Sequence, residues 1–148
     1  MQHLVLELPS ESASLRGWTE ITHIRGNRVI GFQRYNTVTD LGRAIISGAL
    51  IATGTPPTHI AIGTGTPSTT ALGAETHRQS AARSQVTTTI TNDTAQYEYT
   101  FAFAGGYSIT EAGLFNAASG PTMVCSQTFT AVVVVSGDSL RITWKLQA

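Results

Sequence analysis

The chain has 148 residues, enough for one domain of ordinary size, with nine basic and nine acidic residues and a formal net charge of zero. That balance excludes a basic nucleic-acid-binding surface, the single Cys125 excludes an internal disulfide, and no apolar run approaches the ~18 residues that a membrane helix needs. Only 12% of the residues are charged, against about 25% in an average soluble domain. We therefore expect no nucleic acid and no membrane as partners, and a surface that is poorly suited to a free-standing soluble monomer.

The first 16 residues predict an extended N-terminal arm. Leu4, Leu6 and Leu8 recur at every second position, which is typical of a strand with one apolar side, and Pro9 followed by serines indicates a linker. Such a strand can be an edge strand of its own domain or can pair with a neighbouring subunit. Leu4, Leu6 and Leu8 are therefore the predicted partner-binding residues, and residues 17–148 are expected to form a single domain.

The segment after the arm predicts a β-hairpin followed by a helix. Strands at 18–24 and 28–35 flank the turn at 25–27, whose glycine and asparagine favour positive φ. A helix is expected near 39–52, because Thr39 can cap its N-terminus and apolar residues recur after it at helical spacing. A Pro-Pro pair then prevents the helix from continuing.

The remainder of the chain predicts short strands separated by turns. A strand at 59–62 precedes a segment at 68–80 without clear periodicity, which we expect to be a long loop. Abundant threonine and valine with regular turn signals favour a mostly β fold: an antiparallel β-sandwich, with a jelly roll as one form, carrying one short helix and the arm. The later strands are expected at 83–92, 95–104, 108–116, 122–129 and 140–146, and residues 131–135 either extend the strand at 122–129 or form a further strand.

No motif for a cofactor or a metal is evident. The segment Gly63 to Pro67 has the glycines of a phosphate-binding loop but no lysine, which favours a structural turn. The four histidines have no metal-ligand spacing, and the apolar neighbours of Cys125 indicate a small core residue. We expect no cofactor, no metal and no enzymatic activity.

Glu111 is the most unusual charged residue, because it lies within the largely apolar run at 109–115. Such a carboxylate can be a catalytic acid with a raised pKa, or it can accept backbone or arginine hydrogen bonds that lock adjacent strands or subunits. We favour the structural role. The expected structural polar contact joins Glu111 to Arg43, with Arg78 and Arg83 as the alternatives.

Five short segments share their pattern with one class of proteins. They are NTVT at 36–39 with Gly-Arg at 42–43, IAIGTGTP at 60–67, ETHR at 75–78, ITEAGLFN at 109–116 and GDSLRITW at 137–144. This series resembles small structural proteins of tailed bacteriophages, namely capsid decoration (cement) proteins and related head- or tail-fibre modules. The resemblance covers roughly residues 36–146 and leaves out the arm and the hairpin.

The resemblance implies a non-enzymatic virion protein without catalytic residues, assembled in the host cytoplasm and located on the capsid surface. It further implies a homotrimer that binds the major capsid protein where capsid subunits meet. The alternatives are a phage tail, baseplate or head-fibre component and, more distantly, a carbohydrate-binding β-sandwich that would use Trp18 and exposed tyrosines. Trp144 alternates with Ile142 and Leu146, which predicts a core position and weakens the carbohydrate alternative.

Overall fold

Residues 15–148, which the computed structural model describes, form two antiparallel β-sheets packed face to face. Strands account for 56% of the described residues, so the predicted mostly β fold with one short helix is confirmed. Leu4, Leu6 and Leu8 lie outside the described residues. The elements are β1 (Arg16–Arg25), β2 (Arg28–Tyr35), β3 (Thr37–Val38), α1 (Asp40–Ala49), β4 (His59–Gly63), β5 (Glu75–Ser80), β6 (Ala82–Val86), β7 (Thr94–Ala102), β8 (Tyr107–Phe115), β9 (Met123–Val134) and β10 (Ser139–Gln147).

The two sheets have five strands each. The order in the first sheet is β2-β1-β10-β7-β6, and the order in the second sheet is β3-β9-β8-β4-β5. The β1–β2 hairpin turns at Gly26, whose positive φ of 57° a glycine adopts with little strain. Arg25 pairs directly with Arg28 across the turn. The predicted hairpin is therefore present with its turn in the expected place.

The helix α1 begins where the sequence predicted and ends three residues earlier. Thr39 Oγ1 accepts a hydrogen bond from Gly42 N at 3.0 Å, and its hydroxyl donates to Met123 O at 2.7 Å. The cap thus fastens the helix to β9. After Ala49 the chain leaves the helix through Ala52, whose φ is 57°. Within residues 15–148 no helix is long and apolar enough to cross a membrane.

The core lies between the sheets. Fully buried apolar side chains come from both layers, and their burial supplies the main stabilisation of the fold. Trp144 and Ile142 are 0% exposed and Leu146 is 7% exposed, as their alternation on β10 predicted. The other large buried side chains include Ile21, Phe101 and Leu140 of the first sheet and Ile60, Ile62, Ile109, Leu114 and Phe115 of the second.

Two predictions about the strands are wrong, and one alternative that the sequence left open is decided. The expected loop at 68–80 contains β5, which pairs with β4. The strand expected at 83–92 ends at Val86, and the following loop is held by Asp93, whose carboxylate accepts backbone hydrogen bonds from Thr88, Thr89 and Ile90. Of the two alternatives for residues 131–135, extension is found, because the strand expected at 122–129 continues to Val134 as the single strand β9.

Candidate functional site

Glu111 lies in the middle of β8, and its side chain is fully buried. Its Oε1 accepts backbone hydrogen bonds from Gly65 N at 3.1 Å and Ala74 N at 2.8 Å, and its Oε2 accepts one from Gly73 N at 2.9 Å. Hydrogen bonds to an ionised carboxylate are stronger than neutral ones. The carboxylate therefore holds the loop between β4 and β5 against β8, an arrangement that we call the Glu111 clamp.

The glycines of the loop allow the backbone to approach the carboxylate closely. Gly63 pairs directly with Glu111, and a Cβ at this position would lie 2.4 Å from Glu111 Oε1. Thr110 Oγ1 donates to Gly65 O at 2.7 Å, and Thr64 N donates to Ala74 O at 3.0 Å. The segment 63–67 is thus a turn built around the carboxylate of the protein itself.

These contacts favour a structural role for Glu111 over an acid–base role. A general acid must exchange a proton with a group on the substrate, within hydrogen-bond reach. The Glu111 side chain has no exposed surface, and its two oxygens accept three backbone hydrogen bonds. The clamp can therefore position a loop, and it offers no route to a substrate.

None of the three candidate arginines reaches Glu111. Arg43 lies on the exposed face of α1, and its side chain makes no hydrogen bond to residues 15–148. The Arg78 guanidinium carbon lies 3.7 Å from the Phe115 ring centroid, and Arg83 belongs to β6 of the other sheet. The expected Glu111–Arg43 contact is therefore wrong, because backbone amides of the adjacent loop take the place of a cation.

Asp138 is a second buried carboxylate, and the sequence analysis missed it. It is 2% exposed, and its Oδ2 lies 2.8 Å from both His23 Nε2 and Arg25 Nη2 and 3.0 Å from Val135 N. The hydrogen bonds from Arg25 hold the pKa of Asp138 well below its usual range. We call Asp138 with these three partners the Asp138 cluster. It fastens the β9–β10 turn to the β1–β2 hairpin, whose Arg25 and His23 lie 113 and 115 positions from Asp138 in sequence.

The described histidines and Cys125, which were the other candidate metal ligands and nucleophile, lie in separate surroundings. Burial raises the pKa of the Cys125 thiol to about 12, so the thiol stays protonated and is a poor nucleophile near neutral pH. His59 Nδ1 lies 2.7 Å from Thr58 Oγ1, and the His77 ring stacks edge-on with Tyr107 at 5.1 Å between centroids. Among the described residues, no group of three or more histidine, cysteine or acidic side chains could hold a metal ion.

One lateral side of the sandwich leaves two strand edges without a partner among residues 15–148. β2 pairs only with β1, and the outer edge of β9 is covered only by the two residues of β3. Phe32 and Phe129 meet between these edges with ring centroids 5.8 Å apart. Ile30, 46% exposed, and Val133, 60% exposed, lie in one shallow depression beside them. We call this region the open side.

Exposed strand edges with apolar side chains are the usual places where another chain adds to a sheet. The open side is therefore the candidate interaction surface, whereas Glu111 and Asp138 serve the stability of the fold. No family model, no curated protein and no solved structure matches the chain.

Proposed function

We propose that the chain is a non-enzymatic structural protein of a bacteriophage particle, which decorates the capsid surface and stabilises it by binding across the seams between subunits. The observation that carries the proposal is the position of the segments that resemble phage structural proteins. The segment at 109–116 contains Glu111, the segment at 60–67 contains Gly65, one of its three donors, and the segment at 137–144 contains Asp138 and most of β10. The resemblance thus concerns residues that hold the scaffold together.

The open side supports self-association as a homotrimer. A closed trimer joins two different surfaces head to tail, and the edges of β2 and β9 are two such surfaces. Each new strand pairing would add backbone hydrogen bonds and would bury exposed apolar side chains such as Ile30 and Val133. The partners of this function are therefore further copies of the chain and the major capsid protein.

The low charge of the chain also supports a place within an assembly. With 12% charged residues and no net charge, the surface has little of the repulsion that keeps free monomers apart. On a capsid many copies bind at once, so modest contacts per copy sum to a large stabilisation.

The location on the particle is tested by the copy number in purified virions. Gel densitometry should give a number of copies comparable to that of the major capsid protein if the chain decorates the shell. Far fewer copies than the capsid protein would contradict decoration and would favour a tail, baseplate or head-fibre component. Absence of the chain from the particles would refute a virion role altogether.

The trimer is tested by sedimentation equilibrium with a matched pair of variants. We expect the wild type to sediment as a trimer at tens of micromolar. Ile30→Lys should dissociate it, because an exposed apolar side chain of the open side is replaced by a further cation beside Arg25 and Arg28. Ile90→Lys makes the same change at a residue that is 68% exposed in the loop after β6, and it should leave the trimer intact. A monomeric wild type, or equal effects of the two variants, would contradict an interface at the open side.

A further inference from the structure

The outer face of the first sheet carries an aromatic groove near the start of β1. Trp18 of β1 and Tyr35 of β2 are direct cross-strand partners. Side chains alternate between the two faces of a sheet, and the adjacent Thr19 is buried, so both rings point away from the core. Tyr35 is 85% exposed, and Trp18 is half-buried. The groove has a volume of about 340 Å³, and polar side chains including Arg16 and Gln33 complete its lining.

Polar contacts hold Trp18 in place. Its Nε1 lies 3.4 Å from Glu20 Oε1, and Lys145 Nζ lies 2.9 Å from the same oxygen and 5.9 Å from the Trp18 ring centroid. Gln33 Nε2 donates to Glu20 Oε1 as well, at 3.3 Å. The second oxygen, Oε2, accepts no hydrogen bond from the described residues, and Glu20 is 30% exposed. The Trp18 ring of the groove is therefore held in place beside an unused hydrogen-bond acceptor, Glu20 Oε2.

We propose that this aromatic groove binds a saccharide, with a sugar ring stacked on Trp18 and Tyr35. The C–H face of a pyranose ring carries partial positive charge, which complements the negative face of an aromatic ring. Its hydroxyl groups can donate to Glu20 Oε2 and accept from Arg16 and Gln33, since a hydroxyl both donates and accepts.

The surroundings of the two rings favour a saccharide over a protein partner. The centre of a protein–protein interface is depleted in charged residues. Glu20 and Lys145 lie beside Trp18 at the border of the groove, and their residue types, which are depleted in such interfaces, suit a ligand rich in hydroxyl groups. The volume lies at the lower end of the range of about 300–1,000 Å³ that is typical of small-ligand sites. This proposal does not depend on the capsid role, because the groove lies on the sheet face and the open side lies along strand edges.

Affinity electrophoresis of the full chain tests the proposal. Native gels would contain dextran, mannan or a β-glucan as neutral polysaccharides, or alginate as an acidic one, and at least one of them should retard the protein. Trp18→Ala and Tyr35→Ala should each weaken the binding at least about tenfold, whereas Tyr35→Phe keeps the ring and should bind like the wild type. Ile90→Ala removes an exposed apolar side chain outside the groove and should have no effect.

Three outcomes would overturn the proposal. The first is no retardation in any of the gels. The second is retardation that Trp18→Ala and Tyr35→Ala leave unchanged, which for alginate would indicate simple charge attraction. The third is a change in the sedimentation of Tyr35→Ala without a change in saccharide binding, which would identify the groove as a protein contact. Because Tyr35 is 85% exposed, Tyr35→Ala should fold with the wild-type circular dichroism spectrum. A change in binding or sedimentation can then be attributed to the groove and not to unfolding.

Discussion

Glu111→Gln should destabilise the fold by about 3 kcal/mol. The amide oxygen can keep the hydrogen bonds from Gly65 and Ala74, but each changes from a charge-assisted to a neutral bond and loses about 1 kcal/mol. The amide N–H₂ then faces the N–H of Gly73, and this lost bond costs about 2 kcal/mol. Gly73 is exposed, so its N–H can donate to water instead. We therefore expect a total destabilisation of about 3 kcal/mol, which lowers the melting temperature by about 10 °C.

Thermal and urea unfolding, followed by circular dichroism, measure this loss. Glu75→Gln is the matched control, because Glu75 lies on the neighbouring strand β5 with its side chain 34% exposed and paired with Arg78. Solvent reaches Glu75, and Arg78 keeps its hydrogen bonds to Ala117 O and Gly120 O in this variant, so we expect a loss of about 1 kcal/mol. If Glu111→Gln were no more destabilising than Glu75→Gln, the clamp would not stabilise the fold as we describe. A loss of some hydrolytic activity at unchanged stability would instead indicate a catalytic Glu111.

Three further predictions concern pH, thiol reactivity and the arm. Folding lowers the pKa of Asp138 below its unfolded value of about 3.9, so its stabilisation is present above that pH and is lost as the pH falls towards the folded pKa. Urea unfolding between pH 6 and pH 3 should therefore show a steeper loss of stability for the wild type than for Asp138→Asn, and equal slopes would contradict the cluster. The Cys125 thiol should resist a disulfide reagent at pH 8 in the folded protein and react fully in urea, because burial keeps it protonated; rapid labelling of the folded chain would show that the site opens. Deleting residues 1–14 should leave the β spectrum and most of the melting temperature intact and should weaken binding to undecorated capsids. A large loss of stability in the isolated protein would place the arm within its own domain.

The sequence predicted the elements whose signals are local. The turn at Gly26 and the cap at Thr39 depend on residues within a few positions of each other, and both were found where expected. The strand β5 was missed because it is an edge strand with polar side chains on both faces, so no alternation marks it. The helix was predicted three residues too long, because the chain leaves the helix after Ala49 through the positive φ of Ala52.

The candidate site could be predicted only in part, because its contacts are remote in sequence. Glu111 was recognisable as a carboxylate in an apolar run, but its donors lie 37 to 46 residues earlier in a loop without periodicity. The pairing of Trp18 with Tyr35, in contrast, follows from the hairpin once the turn is fixed, because positions equally far from the turn lie opposite each other. Counting outward from the two turn residues, Gly26 and Asn27, would have found this aromatic pair from the sequence alone.

The central position of β10 determines when the protein can fold during synthesis. β10 pairs with β1 on one side and with β7 on the other, through nine residue pairs each, yet it leaves the ribosome after every other described strand. The β1–β2 hairpin can form early, but its second edge and the core face of Ile21 stay uncovered until β10 arrives. Such non-local pairing is slow and exposes partly folded chains to aggregation. The first sheet can therefore be completed only after β10 has emerged, and a chain that stalls before residue 139 exposes an unpaired sheet to chaperones and proteases.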